Sequence, residues 1–417
     1  MKIAFLTSGG NAPCLNSSIG RLLFKFSQIS KNSSSQISNS NNNISAIGYL
    51  NGFSGLLKGK HIDLPLNFNQ ERQEDFSNLE INPFYKLGGS LIGNSRTKLT
   101  NIQDCIKRGF VDEKQIPIEV AARQLIKDNV DVLFTIGGDD TNTTAKDLKN
   151  YISSKDIKIS VIGIPKTIDN DIFPIKRSLG AYTAASSGAS FFSNIVNENF
   201  MGERHLIVHE VMGRNSGWLT AFTAKCYLEE LDRKNLFDGK VMQYFDKRKY
   251  DIHGVYVPEI NIDINKEISR LSKLIDDVGC LNLFVSEGAF LSEISKDIEK
   301  RGKEIEKDAF GHVRLDTINA AKWYSELISS KINFDRILIQ KSGYFARSSA
   351  PNSSDLEYIF NMCDFAFENA LKFNSGVVGE DERTGELSCI DFNDIRGDKG
   401  LDVNSKWFLD IMNRIVN

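Results

Sequence analysis

The sequence predicts an α/β protein with parallel strands, and three observations carry that prediction. The first is the stretch 130–171. An apolar run (VDVLFTI, 130–136) leads into Gly137-Gly138-Asp139-Asp140, a segment of helical length to about Ser154, a second apolar run from Ile159 to Ile164, and Pro165-Lys166-Thr167-Ile168-Asp169-Asn170-Asp171. Short, β-branched runs bounded by turn residues read as buried strands. A strand–helix–strand unit makes its two strands parallel. The second observation is the N-terminus, where Lys2–Ser8 is an apolar run, Gly9-Gly10-Asn11-Ala12-Pro13 a turn, and Leu15 to Ser27 helical in period. The third is length: 417 residues suffice for two domains.

Further elements follow in order. Ile44–Tyr49 reads as a strand, 51–57 as a turn with a short helix, and Ile116–Asn129 as an amphipathic helix. Small residues from Ser178 onward continue into a long helix towards Asn199. Strands are expected at His205–Val211, His253–Val257, Cys280–Ser286 and Arg336–Lys341. Helices are expected at 263–277, 316–331 and 352–372, with Ser342–Ser348 as a loop and a tail holding a strand and a final helix. The Ser/Asn/Gln tract 32–43 cannot bury a core and reads as a mobile loop.

Composition excludes several classes. Hydrophobic content of 41% with 25% charged residues is that of a soluble globular protein. No apolar run is long enough for a bilayer, and the apolar segment of MKIAFLTSGG is too short for a signal peptide, so a cytoplasmic protein without membrane partners is expected. A formal charge of −3 speaks against general nucleic-acid binding. Six scattered cysteines form no CxxC pair, which argues against a zinc site or structural disulfides. Cys14 reads as a small core residue.

Both motif loops of the 130–171 unit leave the carboxyl ends of their strands, the edge where open α/β sheets bind ligands. Paired glycines allow close backbone approach, and the following helix offers free N–H groups to an anion. Carboxylates at such a place fit a phosphate if Mg²⁺ lies between them. Lys166 supplies a cation for developing charge, and a further carboxylate can take a proton from an attacking hydroxyl. The residues alone therefore suggest Mg²⁺-assisted phosphoryl transfer to an alcohol. An acidic, solvated loop pair is the plain alternative.

Gly137–Asp140 (GGDD), Pro165–Asp171 (PKTIDND) and Val211–Arg214 (VMGR) together resemble the phosphofructokinase family, and more narrowly its pyrophosphate-dependent branch. The family's ATP-dependent members usually carry glycine at the places of Asp140 and Lys166. A charged side chain at Asp140 would crowd the α-phosphate and nucleoside of ATP, while Lys166 would attract the compact diphosphate. The resemblance implies two Rossmann-like three-layer α/β/α domains with mostly parallel sheets. It implies a phosphoryl-donor domain over 1–178 plus about 345–392, and a sugar-phosphate domain over 179–344 plus about 393–417.

It also implies residue roles. Gly10, Arg96, Gly138 and Asp140 would bind the donor, with Lys98 adding charge, and Asp139 would hold the metal. Met212, Gly213, Arg214, Glu287, Lys341, Tyr344 and Arg347 would hold fructose 6-phosphate. Lys341, Tyr344 and Arg347, with a helix start at Asn352, would form the 6-phosphate site. Asp169 would act as base, Thr167 and Asp171 would position the sugar, and Lys166 and Arg214 would stabilise the transferring group. Tyr49 would either face the donor pocket or pack in the core. An effector-site arginine of bacterial members falls on Gly20, so no control of that type is expected. The place of a neighbouring-subunit arginine lies near Arg204-His205, and a homodimer or homotetramer is implied. The rival expectations are an ATP-dependent enzyme and a catalytically inactive, sugar-phosphate-binding regulatory paralogue.

Overall fold

The computed structural model describes residues 1–32, 44–66, 82–234, 244–300, 302 and 318–416; most of the Ser/Asn tract (33–43) lies outside the described residues. The chain divides into two compact units, 1–183 with 347–399 and 184–346 with 400–417. Residues 393–399 thus belong with the first unit. Arg396 and Phe173 exchange backbone hydrogen bonds at 2.9 and 2.7 Å, and the Lys399 N–H donates to the Asp171 carbonyl at 3.1 Å.

The first unit holds strands β1 (Lys2–Ser8), β2 (Ser45–Tyr49), β3 (His61–Leu64), β4 (Asn94–Ser95), β5 (Val132–Gly137), β6 (Ser160–Pro165), β11 (Gly376–Glu380) and β12 (Leu387–Ile390). They lie in the order β12-β11-β6-β5-β1-β2-β3, with β4 paired to the end of β1. All neighbours are parallel except the antiparallel margins β2–β3 and β11–β12. The central strands are apolar on both faces because both are covered. Ala4, Leu6 and Leu133 pack with residues of the helices Phe53–Lys58, Pro117–Lys127 and Asp139–Ser154. Phe5 and Phe134 stack at 5.3 Å on the opposite face, where Phe26 and Phe367 of the helices Leu15–Asn32 and Ser353–Leu371 join them. The period of two is thus read out as two cores in three layers.

Two positions take a packing role. Tyr49 is fully buried with its hydroxyl on Asp128 at 2.7 Å, the core alternative of the two. A Cβ on Gly20 would meet Phe84 Cβ at 2.5 Å, so this glycine lets the helix Leu15–Asn32 approach Phe84 closely.

The second unit holds β7 (His205–Val211), β8 (Gly254–Tyr256), β9 (Cys280–Ser286) and β10 (Arg336–Lys341), all parallel, in the order β10-β7-β9-β8. Leu206, Val208, Leu281, Leu283 and Val285 form its core with Leu271, Ile275, Tyr324 and Ile328 from flanking helices. Asp263 caps the helix Ile264–Val278 by accepting from the N–H groups of Asn265 and Lys266. The segment expected as a loop at 342–348 forms a short helix, Gly343–Ser348.

Candidate active site

In the first unit, three loops leave adjacent strands on one edge. The β5–β6 register pairs Gly137 with Pro165, and the Lys166 N–H donates to the Gly137 carbonyl at 2.9 Å. The GGDD and PKTIDND loops therefore start level. On the other side of β5, β1 delivers Gly9-Gly10, and β4 delivers Arg96 through the Gly9 N–H bond to Ser95 at 3.1 Å. Lys166 spans the end of β5: its buried ammonium donates to the Gly10 carbonyl at 2.6 Å. Gly9 adopts φ +86°, and a Cβ there would sit 3.3 Å from Lys166 Nζ. The backbone conformation favours glycine here.

The charges are sorted. A Cβ on Gly10 would lie 3.8 Å from Arg96 Nη2 and 4.0 Å from Arg347 Nη1, so two guanidinium groups flank that peptide. Arg347, expected to grip the sugar phosphate, belongs to the first unit. Burial lowers the Lys166 pKa to about 8, with Arg96 adding to the fall and Asp169 and Asp171 opposing it. Carboxylates gather beside these cations. Burial raises the Asp139 pKa, and Asp140, Asp171 and Asp398 push it further. Burial also raises Asp171, against a hydrogen bond from Thr167 that lowers it. Asp140 is largely exposed and paired with Lys98 at 2.7 Å.

The loop 166–171 is held in shape. The Thr167 hydroxyl accepts from the Asp169 N–H at 3.1 Å. Asn170, at φ +51°, accepts from the Ser178 N–H at 2.8 Å. Cys14 is buried beside Lys166, and burial raises its thiol pKa, which suits a core residue better than a nucleophile.

Sequence reasoning missed the segment Arg396–Lys399. A Cβ on Gly397 would lie 2.4 Å from Asp139 Cγ. Lys399 donates to the Ile175 carbonyl at 2.7 Å and pairs with Glu382 at 2.7 Å. The charged run RGDKG between glycines was its only local signal.

In the second unit, Met212-Gly213-Arg214 follows β7 directly and is braced by the end of β9. The Ser286 hydroxyl donates to the Gly213 carbonyl at 2.6 Å, the Gly288 N–H donates to the same carbonyl at 3.1 Å, and the Gly213 N–H donates to Glu287 at 3.3 Å. Gly213 sits at φ +138°. Met212 packs on Gly343, whose added Cβ would meet it at 2.7 Å. Burial raises the Glu287 pKa, while the Gly213 N–H, Lys341 and Arg214 oppose the rise. Lys341 is paired with Glu210 at 2.5 Å, and Tyr344 is 75% exposed.

The helix start at Asn352 serves itself. The Asn352 side chain accepts from the Asp355 N–H at 2.8 Å, and Asp355 is fully buried, accepting from the Thr183 N–H at 2.7 Å and pairing with Arg177 at 2.5 Å. A buried carboxylate at that position opposes an anion there. Of the residues expected to hold the sugar phosphate, a cavity of about 360 Å³ touches Arg214 alone, and its ionic pair, Glu267 and Arg270, is bonded internally at 2.6 Å.

The chain is similar in sequence and in fold to known proteins. Residues 2–228 match the family described as Phosphofructokinase. The chain is 47% identical over 412 residues to the pyrophosphate–fructose 6-phosphate 1-phosphotransferase of Methylotuvimicrobium alcaliphilum, covering 99% of this chain and 95% of that protein. It is 44% identical over 415 residues to the Propionibacterium freudenreichii protein of the same name, covering 99% and 97%. The crystal structure of a pyrophosphate-dependent phosphofructokinase from Marinobacter aquaeolei superposes with TM-score 0.66 at 17% identity, covering 100% of this chain and 91% of that one. At that identity the likeness is one of fold.

Proposed function

The chain belongs to the phosphofructokinase family, and from that premise we propose that it transfers a phosphoryl group from pyrophosphate to the 1-hydroxyl of fructose 6-phosphate. The products are fructose 1,6-bisphosphate and phosphate. The observation that carries this reading is near-full-length identity of 42–47% to four proteins named for that reaction. The residues supply a chemical account of it.

Arg96, Arg347 and Lys166 present three cations around Gly10, where a diphosphate needs them. Gly138 leaves its surroundings open, since a Cβ there would meet only the Lys166 carbonyl at 3.5 Å, so the backbone admits a phosphate closely. Asp140 carries its side chain at the place where the extra bulk of a nucleoside triphosphate would need room. Asp169 takes the proton from the sugar hydroxyl, Thr167 and Asp171 position that hydroxyl, and Lys166 and Arg214 stabilise the transferring charge. Met212, Gly213, Arg214, Glu287, Lys341, Tyr344 and Arg347 hold the sugar phosphate, Glu287 by accepting from hexose hydroxyls.

Asp139 fits a hard divalent cation such as Mg²⁺. The carboxylates that raise its pKa are the repulsion that such an ion would relieve. Among the described residues no group of three or more His, Cys, Asp or Glu side chains forms a metal cage, so the diphosphate oxygens would complete the coordination. When bound, the ion neutralises developing charge on the phosphoryl group.

Hydrolysis of pyrophosphate is not far more favourable than that of the ester formed, so the reaction runs in both directions. No helix among the described residues is long and apolar enough to cross a membrane. We place the enzyme in the cytoplasm as a homodimer or homotetramer, without nucleic-acid partners; sedimentation of an active monomer would refute the assembly. The deciding experiment is the initial rate with fructose 6-phosphate, Mg²⁺ and either pyrophosphate or ATP. Activity with pyrophosphate alone is expected. Activity with ATP alone would overturn the donor, and none with either would favour a regulatory paralogue.

A further inference from the structure

We propose that the segment Arg396–Lys399 acts through Gly397 as a positioning element for Asp139, a role that rests on the phosphoryl-transfer reading above. Three observations meet here. First, the contact is steric and specific. An added Cβ on Gly397 would lie 2.4 Å from Asp139 Cγ, 2.5 Å from Oδ2 and 2.6 Å from Cβ, distances that real Cβ atoms do not adopt. Gly397 has no positive φ, so its lack of a side chain answers to the carboxylate and not to backbone conformation.

Second, the segment is anchored to the other acidic loop. Arg396 and Phe173 exchange backbone hydrogen bonds at 2.9 and 2.7 Å, and the Lys399 N–H donates to the Asp171 carbonyl at 3.1 Å. Lys399 Nζ adds bonds to the carbonyls of Ile175 and Lys176 at 2.7 and 3.2 Å and an ion pair to Glu382 at 2.7 Å. Third, Asp139 is the first residue of the helix Asp139–Ser154, whose cap is Gly138. The carboxylate is therefore held between a helix start and a backbone strap, and the strap is tied to the peptide of Asp171. Asp139 and Asp171 come from different strands, and this segment makes their spacing a property of the fold. Preorganised carboxylates need no rearrangement when a charged ligand arrives, and misplacement by about 1 Å costs on the order of 10²-fold in rate.

The test is a two-by-two cycle of Gly397→Ala and Asp139→Ala, read by steady-state kinetics, thermal melting and calorimetric binding of Mg²⁺-diphosphate. Gly397→Ala should lower kcat about 30- to 100-fold and weaken Mg²⁺-diphosphate binding, with the KM for fructose 6-phosphate within about 2-fold. In the Asp139→Ala background, Gly397→Ala should change rate and binding by less than about 3-fold. A Gly397→Ala enzyme within about 3-fold of the parent, or effects that multiply fully in the double variant, would overturn the proposal. If Gly397→Ala does not fold, Lys399→Met loosens the strap without adding atoms to the contact. Its kcat should fall several-fold at constant fructose 6-phosphate KM, and an unchanged kcat would overturn the proposal. A parent chain inactive with pyrophosphate would strike the functional reading instead, and the calorimetric cycle would still decide the strap's role.

Discussion

The candidate site residues of the two units handle charge differently. In the first unit, like charges are crowded and partly buried: Asp139 and Asp171 have raised pKa values and Lys166 a lowered one. In the second unit, Lys341 is paired with Glu210 at 2.5 Å, and Glu287, whose pKa burial also raises, accepts from the Gly213 N–H at 3.3 Å. Perturbed pKa values of this kind cluster at functional sites. Substitutions of Lys166, Asp169 and Asp171 in the first unit should act mainly on kcat, and substitution of Glu287 in the second mainly on KM.

The sharpest break of that contrast is Asp169→Asn. Loss of the base should lower kcat by about 10³- to 10⁴-fold while the KM for fructose 6-phosphate stays within a few-fold. Near-normal turnover would remove Asp169 from the base role.

Next is Lys166 and its pH dependence. The folded pKa is lowered to about 8, so the ammonium form dominates below that value and is lost as pH rises through it. kcat/KM for pyrophosphate should fall tenfold per pH unit above about 8. Lys166→Arg, which stays charged, should lose this limb even at reduced rate. A profile flat to pH 10 in the parent enzyme would contradict the assignment.

In the second region, Glu287→Gln should raise the KM for fructose 6-phosphate roughly 5-fold, as expected when a hydrogen bond to a charged group worth about 2 kcal/mol becomes a neutral one worth about 1 kcal/mol. A dominant loss in kcat would erase the contrast between the regions. The smallest effect is expected at Lys98. Its pair with Asp140 is exposed, and such pairs contribute less than about 1 kcal/mol. Lys98→Met should leave the melting temperature unchanged and raise the pyrophosphate KM by less than about 5-fold, with thermal melting and initial rates as the readouts.

Legibility in the sequence differed between these features. The unit from Val132 to Pro165 was readable because β-branched apolar runs, a glycine pair and a helical spacer all act over a few neighbours, and the parallel pairing follows from chain connectivity. The Met212-Gly213-Arg214 and Glu287-Gly288 turns were readable at strand ends, but their mutual bracing through Ser286 was not. Partners of single residues were not readable either: Lys341 is paired with Glu210, and buried Asp355 lies at the helix start after Asn352.

By itself the sequence determined the central strands, the glycine turns and which side chains could bear phosphoryl chemistry, because these depend on local pattern and residue type; the short strands His61–Leu64 and Asn94–Ser95 and the second strand of the tail escaped it. Only the tertiary structure decided that Lys166 reaches the Gly10 carbonyl, that Arg347 stands with Arg96 beside Gly10, and that Gly397 abuts Asp139. Those contacts join segments far apart in the chain. They arise from sheet order and close packing, which no local pattern of residues encodes.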